Sequence, residues 1–168
     1  MTVAEYLVNE IIKYDVTDIF GIPGGVILDF LYAAEKRLSA HLSYHEQAAG
    51  FEALGYAQVN YKLGVAYVTR GPGFTNIITA IADAYSDSVP ILIITAHEAK
   101  ITNRRLRFEY EQEIDVSLIV DSICKKVTVI DELEQAIETI PNLLMVAMDG
   151  RKGPVILDMC AILWNKEI

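Results

Sequence analysis

A single acid, Glu46, stands in Tyr44-His45-Glu46-Gln47-Ala48-Ala49-Gly50-Phe51, where a short apolar run gives way to a long Ala-rich stretch. Two Gly-Pro turns flank it in the chain, Gly21-Ile22-Pro23-Gly24-Gly25 and Arg70-Gly71-Pro72-Gly73-Phe74-Thr75-Asn76. Glycines in such turns allow positive φ or close backbone approach, so a ligand can meet main-chain amides directly. A backbone-rich cleft holding one carboxyl, amides from two turns and the Asn76 amide suits a flat heterocycle, whose edge bonds the backbone while the carboxyl meets a ring nitrogen. The plainer role for Glu46 is to complement a helix dipole, worth about 0.3–1 kcal/mol.

The elements that would carry these residues alternate regularly. Thr2-Val3-Ala4-Glu5 fits a capping box opening a helix to about residue 14, with Leu7, Ile11 and Ile12 on its inner face. Strands are expected at 17–20, 40–44, 64–69, 90–95, 125–130 and 155–159, the fourth a continuous run of the buried central kind. Helices are expected at about 26–36, from Glu46 through Val59, 74–85, 114–121 and 131–148, and Met148-Asp149-Gly150 reads as a helix stop. The stretch from His97 to about Asp115 is charged and aperiodic. With no internal repeat and no linker, this predicts one three-layer α/β/α domain over residues 1–168 with a six-stranded, mostly parallel sheet. Each strand-to-helix turn then opens on one sheet edge, and Glu46 falls at a helix N-terminus on that edge, where open α/β sheets bind ligands.

Composition narrows the partners. A chain of 168 residues supports one substantial core. A net charge of −9 argues against nucleic acid or an anionic membrane. The local basic cluster Arg104, Arg105 and Arg107 reads as a solvated loop. A hydrophobic share of 52% suits a sheet covered on both faces, with apolar surface left for a protein partner. The N-terminus has no signal-peptide pattern, and the longest apolar run, 89–96, is far short of a membrane span. Cys124 and Cys160, both placed in strands, read as buried thiols in a reducing compartment, so a cytoplasmic protein is expected.

Several chemistries lack their signatures. Gly71 and Gly73 are not followed by the third glycine of a dinucleotide fingerprint, because Asn76 stands there, and no G-x-x-x-x-G-K-[ST] loop occurs. His41, His45, His97 and the two cysteines show no metal-ligand spacing, and Ser86 and Ser88 sit in no nucleophile elbow.

Taken together, Gly-Ile-Pro-Gly-Gly at 21–25, the run 44–57, Thr-Arg-Gly-Pro-Gly-Phe-Thr-Asn at 69–76, the segment 83–90 and Gly-Pro-Val-Ile-Leu-Asp at 153–158 resemble thiamine diphosphate-dependent enzymes. The likeness is to their N-terminal pyrimidine-binding (PYR) domain, nearest the acetolactate synthase group, and runs along the whole chain in order. It implies that Glu46 is the glutamate that hydrogen-bonds N1′ of the cofactor's aminopyrimidine. That contact favours the imino tautomer, which deprotonates C2 of the thiazolium to an ylide. The ylide then attacks a small 2-oxo acid, carbon dioxide leaves, and the resulting enamine attacks an acceptor. Pro23, Gly24, Pro72, Gly73 and Asn76 would shape the pyrimidine pocket. Gln112 resembles a glutamine that faces the active centre, and His97 is a second candidate substrate contact, set against an ordinary exposed loop histidine. The pattern departs from the family at Arg70, usually serine; Phe74, usually small and here bulky beside the pocket; Ala96-His97, usually Gly-Gln; and Glu111, usually phenylalanine.

The resemblance also says what this chain lacks. The diphosphate-binding half, which holds Mg²⁺ against the cofactor's phosphates, has no counterpart here, nor does a central domain, so no metal ligand is expected in residues 1–168. The chain alone is expected to be inactive. It is either part of a larger enzyme or a separately encoded α subunit of a split 2-oxo acid decarboxylase of the sulfopyruvate decarboxylase type. Its expected partners are that diphosphate-binding domain and a second copy, the homodimer packing through helices at the cofactor edge. Ala48, Ala49, Ala53 and Ala57 would either permit that approach or pack within the domain. A non-catalytic dimerisation module is the reading from another class.

Overall fold

The computed structural model describes residues 1–98 and 110–168. The Arg104, Arg105 and Arg107 cluster lies outside them. The chain begins with α1 (Val3–Ile12), opened by the expected capping box: Thr2 Oγ1 accepts from the Glu5 amide at 3.2 Å, and Glu5 Oε2 accepts from the Thr2 amide at 3.1 Å. There follow β1 (Asp18–Gly21), a 3₁₀ turn (Gly25–Ile27), α2 (Leu28–Ala34), β2 (Ser39–Leu42), α3 (Glu46–Asn60), β3 (Gly64–Tyr67) and α4 (Pro72–Asp87). The second half comprises β4 (Ile91–His97), α5 (Val116–Val120), β5 (Lys126–Ile130), α6 (Leu133–Met148), β6 (Val155–Cys160) and a last 3₁₀ turn (Ala161–Leu163). Past α6, Gly150 takes φ +55°, the helix stop expected there.

All six strands join one sheet in the order β2-β1-β3-β4-β6-β5, and every neighbouring pair is parallel. The period of two along the strands divides the core cleanly. Val65 and Tyr67, Leu92 and Ile94, and Val155 and Leu157 face the layer of α1, α2 and α6. Ala66, Ile91, Ile93 and Ile156 face the layer of α3, α4 and α5. The architecture is therefore the three-layer α/β/α arrangement, with the sheet wholly rather than mostly parallel. Among the described residues no helix is long and apolar enough to cross a membrane.

Ala49, Ala53 and Ala57 are buried in the domain's own core, and only Ala48 of the four is exposed. Cys124 lies just before β5 and not within it; both cysteines are free and buried. Burial pushes the Cys124 thiol up to about 11, and burial followed by the carboxylates of Asp131, Asp158 and Glu113 pushes Cys160 up as well. Thiols so held are poor nucleophiles. Trp164 is fully buried. The two ends of the chain lie side by side: Thr2 and Glu167 form an antiparallel bridge, the Val3 amide donates to the Lys166 carbonyl at 2.9 Å, and the Ile168 amide donates to the Met1 carbonyl at 3.0 Å.

Candidate functional site

The chain turns one way from β1 to reach β2 and the other way to place β3, so the carboxyl ends of β1 and β3 border the switch point of the sheet. Crevices at such points are where α/β sheets take ligands. Both Gly-Pro turns leave the sheet here. The first follows β1, and Trp164 fixes it from below: the indole Nε1 donates to the Val26 carbonyl at 3.0 Å, and its ring tilts against Phe30 at 5.6 Å. The second follows β3 and opens α4 with Pro72 at the first helical position, where a missing amide hydrogen costs nothing.

Thr69 joins the two turns. A Cβ added at Gly24 would lie 2.4 Å from Thr69 Oγ1, and one at Gly73 would lie 2.7 Å from Thr69 Cγ2. Only glycine lets both turns close on this side chain. The same hypothetical Cβ at Gly73 would stand 3.4 Å from Glu46 Oε1, so the carboxyl lies against the second turn as well. Glu46 is the first residue of α3, capped by His45, whose Nδ1 accepts from the Gln47 amide at 3.1 Å. Asn76 Nδ2 donates to Glu46 Oε2 at 2.8 Å. Gly24, Gly73, Glu46 and Asn76 are thus brought together around Thr69, while Pro23 and Pro72 are exposed on the turns beside them. The donor set suits an aminopyrimidine edge: one carboxyl oxygen is taken by an amide and glycine backbone is bare on either side.

Next to this cluster lies a cleft of about 500 Å³ lined by Gly25, Asp29, Thr69, Arg70, Glu98 and Gln112, together with the turn after β6. Every wall comes from a segment after a strand's carboxyl end. Gln112, with φ +62°, presses its backbone against Gly71, where a Cβ would stand 1.9 Å from the Gln112 carbonyl oxygen. Arg70 bonds Glu98 through Nη1, which also lies 3.8 Å from Glu113 Oε1. Glu113 is buried and accepts from the Glu98 amide at 2.6 Å. Phe74, expected beside the pocket, is fully buried in the core under α3 and α4. Starting α4 two residues earlier than expected turns its ring inward.

His97 is not an exposed loop residue. It ends β4, is 3% exposed, and has Nδ1 2.9 Å from Asp158 Oδ1 and Nε2 3.1 Å from Asp131 Oδ1. Both ring nitrogens face carboxylates, and the residue does not line the cleft. Burial alone would favour the neutral ring, but the hydrogen bonds and charges of Asp158 and then Asp131 outweigh it and hold the pKa above the ordinary 6.5. The doubly protonated ring donates to both acids, whereas a neutral one leaves a lone pair facing a carboxylate. Because the folded pKa is raised, this clamp stabilises the fold fully below pH 6.5 and its contribution fades as pH rises through the folded value. In urea titrations from pH 6 to 9 the wild type should lose stability as pH rises in a window where His97→Gln stays flat; parallel curves for the two would show that the clamp does not titrate.

The residues that sequence reading passed over are Thr69, Glu98, Glu113 and the two acids that clamp His97, Asp131 and Asp158. Of these Thr69 and Asp158 carried a signal, each standing in one of the motifs quoted above. Among the described residues no group of three His, Cys, Asp or Glu side chains could hold a metal ion.

Comparison with known proteins gives one family. The sequence profile described as "Thiamine pyrophosphate enzyme, N-terminal TPP binding domain" matches residues 1–119. Acetolactate synthase of Arthrospira platensis is 36% identical over 173 residues, covering 100% of this chain and 29% of its own length. The acetolactate synthase large subunit of Corynebacterium glutamicum is 36% identical over 171 residues, covering 100% and 27%. Acetolactate synthase of Mycobacterium leprae is 39% identical over 166 residues, covering 95% and 25%. The chain therefore spans less than a third of the length of these relatives.

Proposed function

Because this chain belongs to the thiamine pyrophosphate enzymes and corresponds to their N-terminal TPP-binding domain, we propose that it is the pyrimidine-binding half of a thiamine diphosphate-dependent 2-oxo acid decarboxylase and carboligase of the acetolactate synthase kind. The observation that carries this reading is the position of the Glu46 carboxyl, at the head of α3, bonded by Asn76 and lying against Gly73. Glu46 holds and exchanges a proton at N1′ of the aminopyrimidine. Asn76 fixes one carboxyl oxygen so that the other is aimed, and Thr69 sets the spacing of the two glycine turns that receive the ring. When bound, the cofactor supplies the carbanion chemistry that 2-oxo acid decarboxylation needs. The diphosphate and its Mg²⁺ belong to a separate diphosphate-binding half, on the same polypeptide or on a partner, and the chain works as a dimer. The free, buried thiols of Cys124 and Cys160 support a reducing compartment, the cytoplasm.

Calorimetric titration of thiamine diphosphate with Mg²⁺ tests the reading. Tight binding is expected when this chain is assembled with its diphosphate-binding half, and weak binding without turnover when it is alone. Absence of binding by a properly folded assembly would leave a dimerisation module.

A further inference from the structure

We propose that His45 and Ser43 are positioning residues for Glu46: they fix the three-residue link from β2 to α3 and so aim the carboxyl at the head of the helix. The inference rests on the pyrimidine-binding reading above and adds to it the part of the chain that places its acid.

Glu46 is the first residue of α3, so its backbone lies where residues 43–45 leave it. Tyr44, in the middle of that link, is fully exposed, and hydrogen bonds rather than packing hold the segment. Ser43, 5% exposed, donates its amide to the Gly21 carbonyl at 3.0 Å and its Oγ to Glu52 Oε2 at 2.5 Å. The link therefore starts pinned to the first glycine turn and to α3 itself. At its other end His45 has the extended backbone of a cap, with φ −157° and ψ 143°. Its carbonyl accepts from the Ala49 amide at 3.1 Å, and its Nδ1 accepts from the Gln47 amide at 3.1 Å. Glu46 is thus bracketed along the backbone by His45, while Asn76 holds its Oε2 from α4.

The choice of ring fits the task. Thr2 caps α1 and Asp115 caps α5, both ordinary cap residues. A carboxylate cap at position 45 would set a second negative charge beside Glu46, and like charges so close oppose each other's ionisation. Imidazole supplies the lone pair without the charge. Because Nδ1 accepts only while it carries no hydrogen, the ring is neutral with its hydrogen on Nε2. A single cap bond is modest as stability, but a shift of about 1 Å in a reacting group can slow chemistry about 100-fold.

Two measurements separate aim from stability. In the chain by itself, ¹⁵N spectra should show His45 with Nδ1 bare and Nε2 protonated, and the Gln47 amide should exchange slowly with solvent. His45→Ala should abolish that protection, and His45→Asn, which retains a capping oxygen, should restore it. In the enzyme assembled with its diphosphate-binding half and saturated with thiamine diphosphate and Mg²⁺, exchange of the cofactor's C2 proton should slow by about 10- to 100-fold in His45→Ala and by less in Ser43→Ala. The cofactor dissociation constant should stay within about threefold of wild type, and His45→Asn should recover most of the exchange rate. Thr2→Ala, which uncaps α1, is the control: it should lower the urea midpoint and leave C2 exchange unchanged. A protonated Nδ1, or a slowing in His45→Ala no greater than in Thr2→Ala, would overturn the proposal while leaving the pyrimidine-binding reading intact. So would a His45→Asn variant as slow as His45→Ala, which would make the ring and not the cap the active feature. A folded wild-type assembly that binds no cofactor would overturn the pyrimidine-binding reading and this proposal with it.

Discussion

Glu46→Gln is expected to lower turnover of the assembled enzyme by about 10²- to 10⁴-fold, the usual contribution of one positioned proton-transfer group. The substitution is nearly isosteric. A glutamine carbonyl can still accept from Asn76 Nδ2, which now donates to Glu46 Oε2 at 2.8 Å, so the head of α3 and the approach to Gly73 should persist. What is lost is the capacity to share a proton with a ring nitrogen. Binding and chemistry should separate accordingly: the cofactor dissociation constant is expected to change by less than about tenfold, since the glutamine side-chain amide still offers a hydrogen bond to the ring nitrogen. Exchange of the cofactor's C2 proton in deuterated solvent, followed by NMR, should slow in step with turnover. Turnover that stays within tenfold of wild type would remove Glu46 from the chemistry and return it to the role of a dipole-complementing acid.

Gly71→Ala is expected to cost about 3 kcal/mol of stability and to open the substrate cleft, because two penalties of the larger kind coincide there. Gly71 combines φ +59° with ψ −119°, a conformation that side chains with a Cβ rarely adopt. The added methyl would also stand 1.9 Å from the Gln112 carbonyl oxygen and 2.9 Å from both its carbonyl carbon and Cβ. Those nearest atoms are backbone, so relief requires the Gln112 segment to move away from the cleft. Urea unfolding should show a lowered midpoint with an unchanged slope, and the Michaelis constant for the 2-oxo acid should rise in the assembled enzyme. Gly55→Ala in α3 is the contrast: no atom lies within 4 Å of its Cβ, and alanine in a helix interior should stabilise by about 0.5–1 kcal/mol. Equal effects at the two sites would mean that the Gly71 turn is not under the constraint described.

What was legible in the sequence was what is encoded locally. The capping box at Thr2 and Glu5, the strand-turn-helix rhythm, the stop at Gly150 and the place of Glu46 at the head of a helix all follow from neighbours a few residues apart. What was not legible depends on partners far along the chain. The strand β4 runs two residues beyond its β-branched core because His97 finds Asp158 across β6, 61 residues away, and burial then becomes affordable for an ionisable ring. The contact between Asn76 and Glu46 spans 30 residues and needs the switch in strand order between β1 and β3. Phe74 was misread because Pro72 starts α4 early, which moves the ring to a buried position of the first turn. Arg70 was visible as a departure from the family pattern, but its unequal pair of carboxylates was not, since Glu98 and Glu113 meet only after the chain has folded back on itself.

The bridge between Thr2 and Glu167 makes the domain topologically close to a ring. In a ring the starting point is arbitrary, so the cluster of Gly24, Glu46, Thr69, Gly73 and Asn76 is specified by spatial neighbourhood and strand direction and not by which element comes first. A circular permutant joined across the paired ends and reopened at the exposed Asp149–Lys152 turn would keep every contact of that cluster, because no strand, helix or glycine turn of the site is cut.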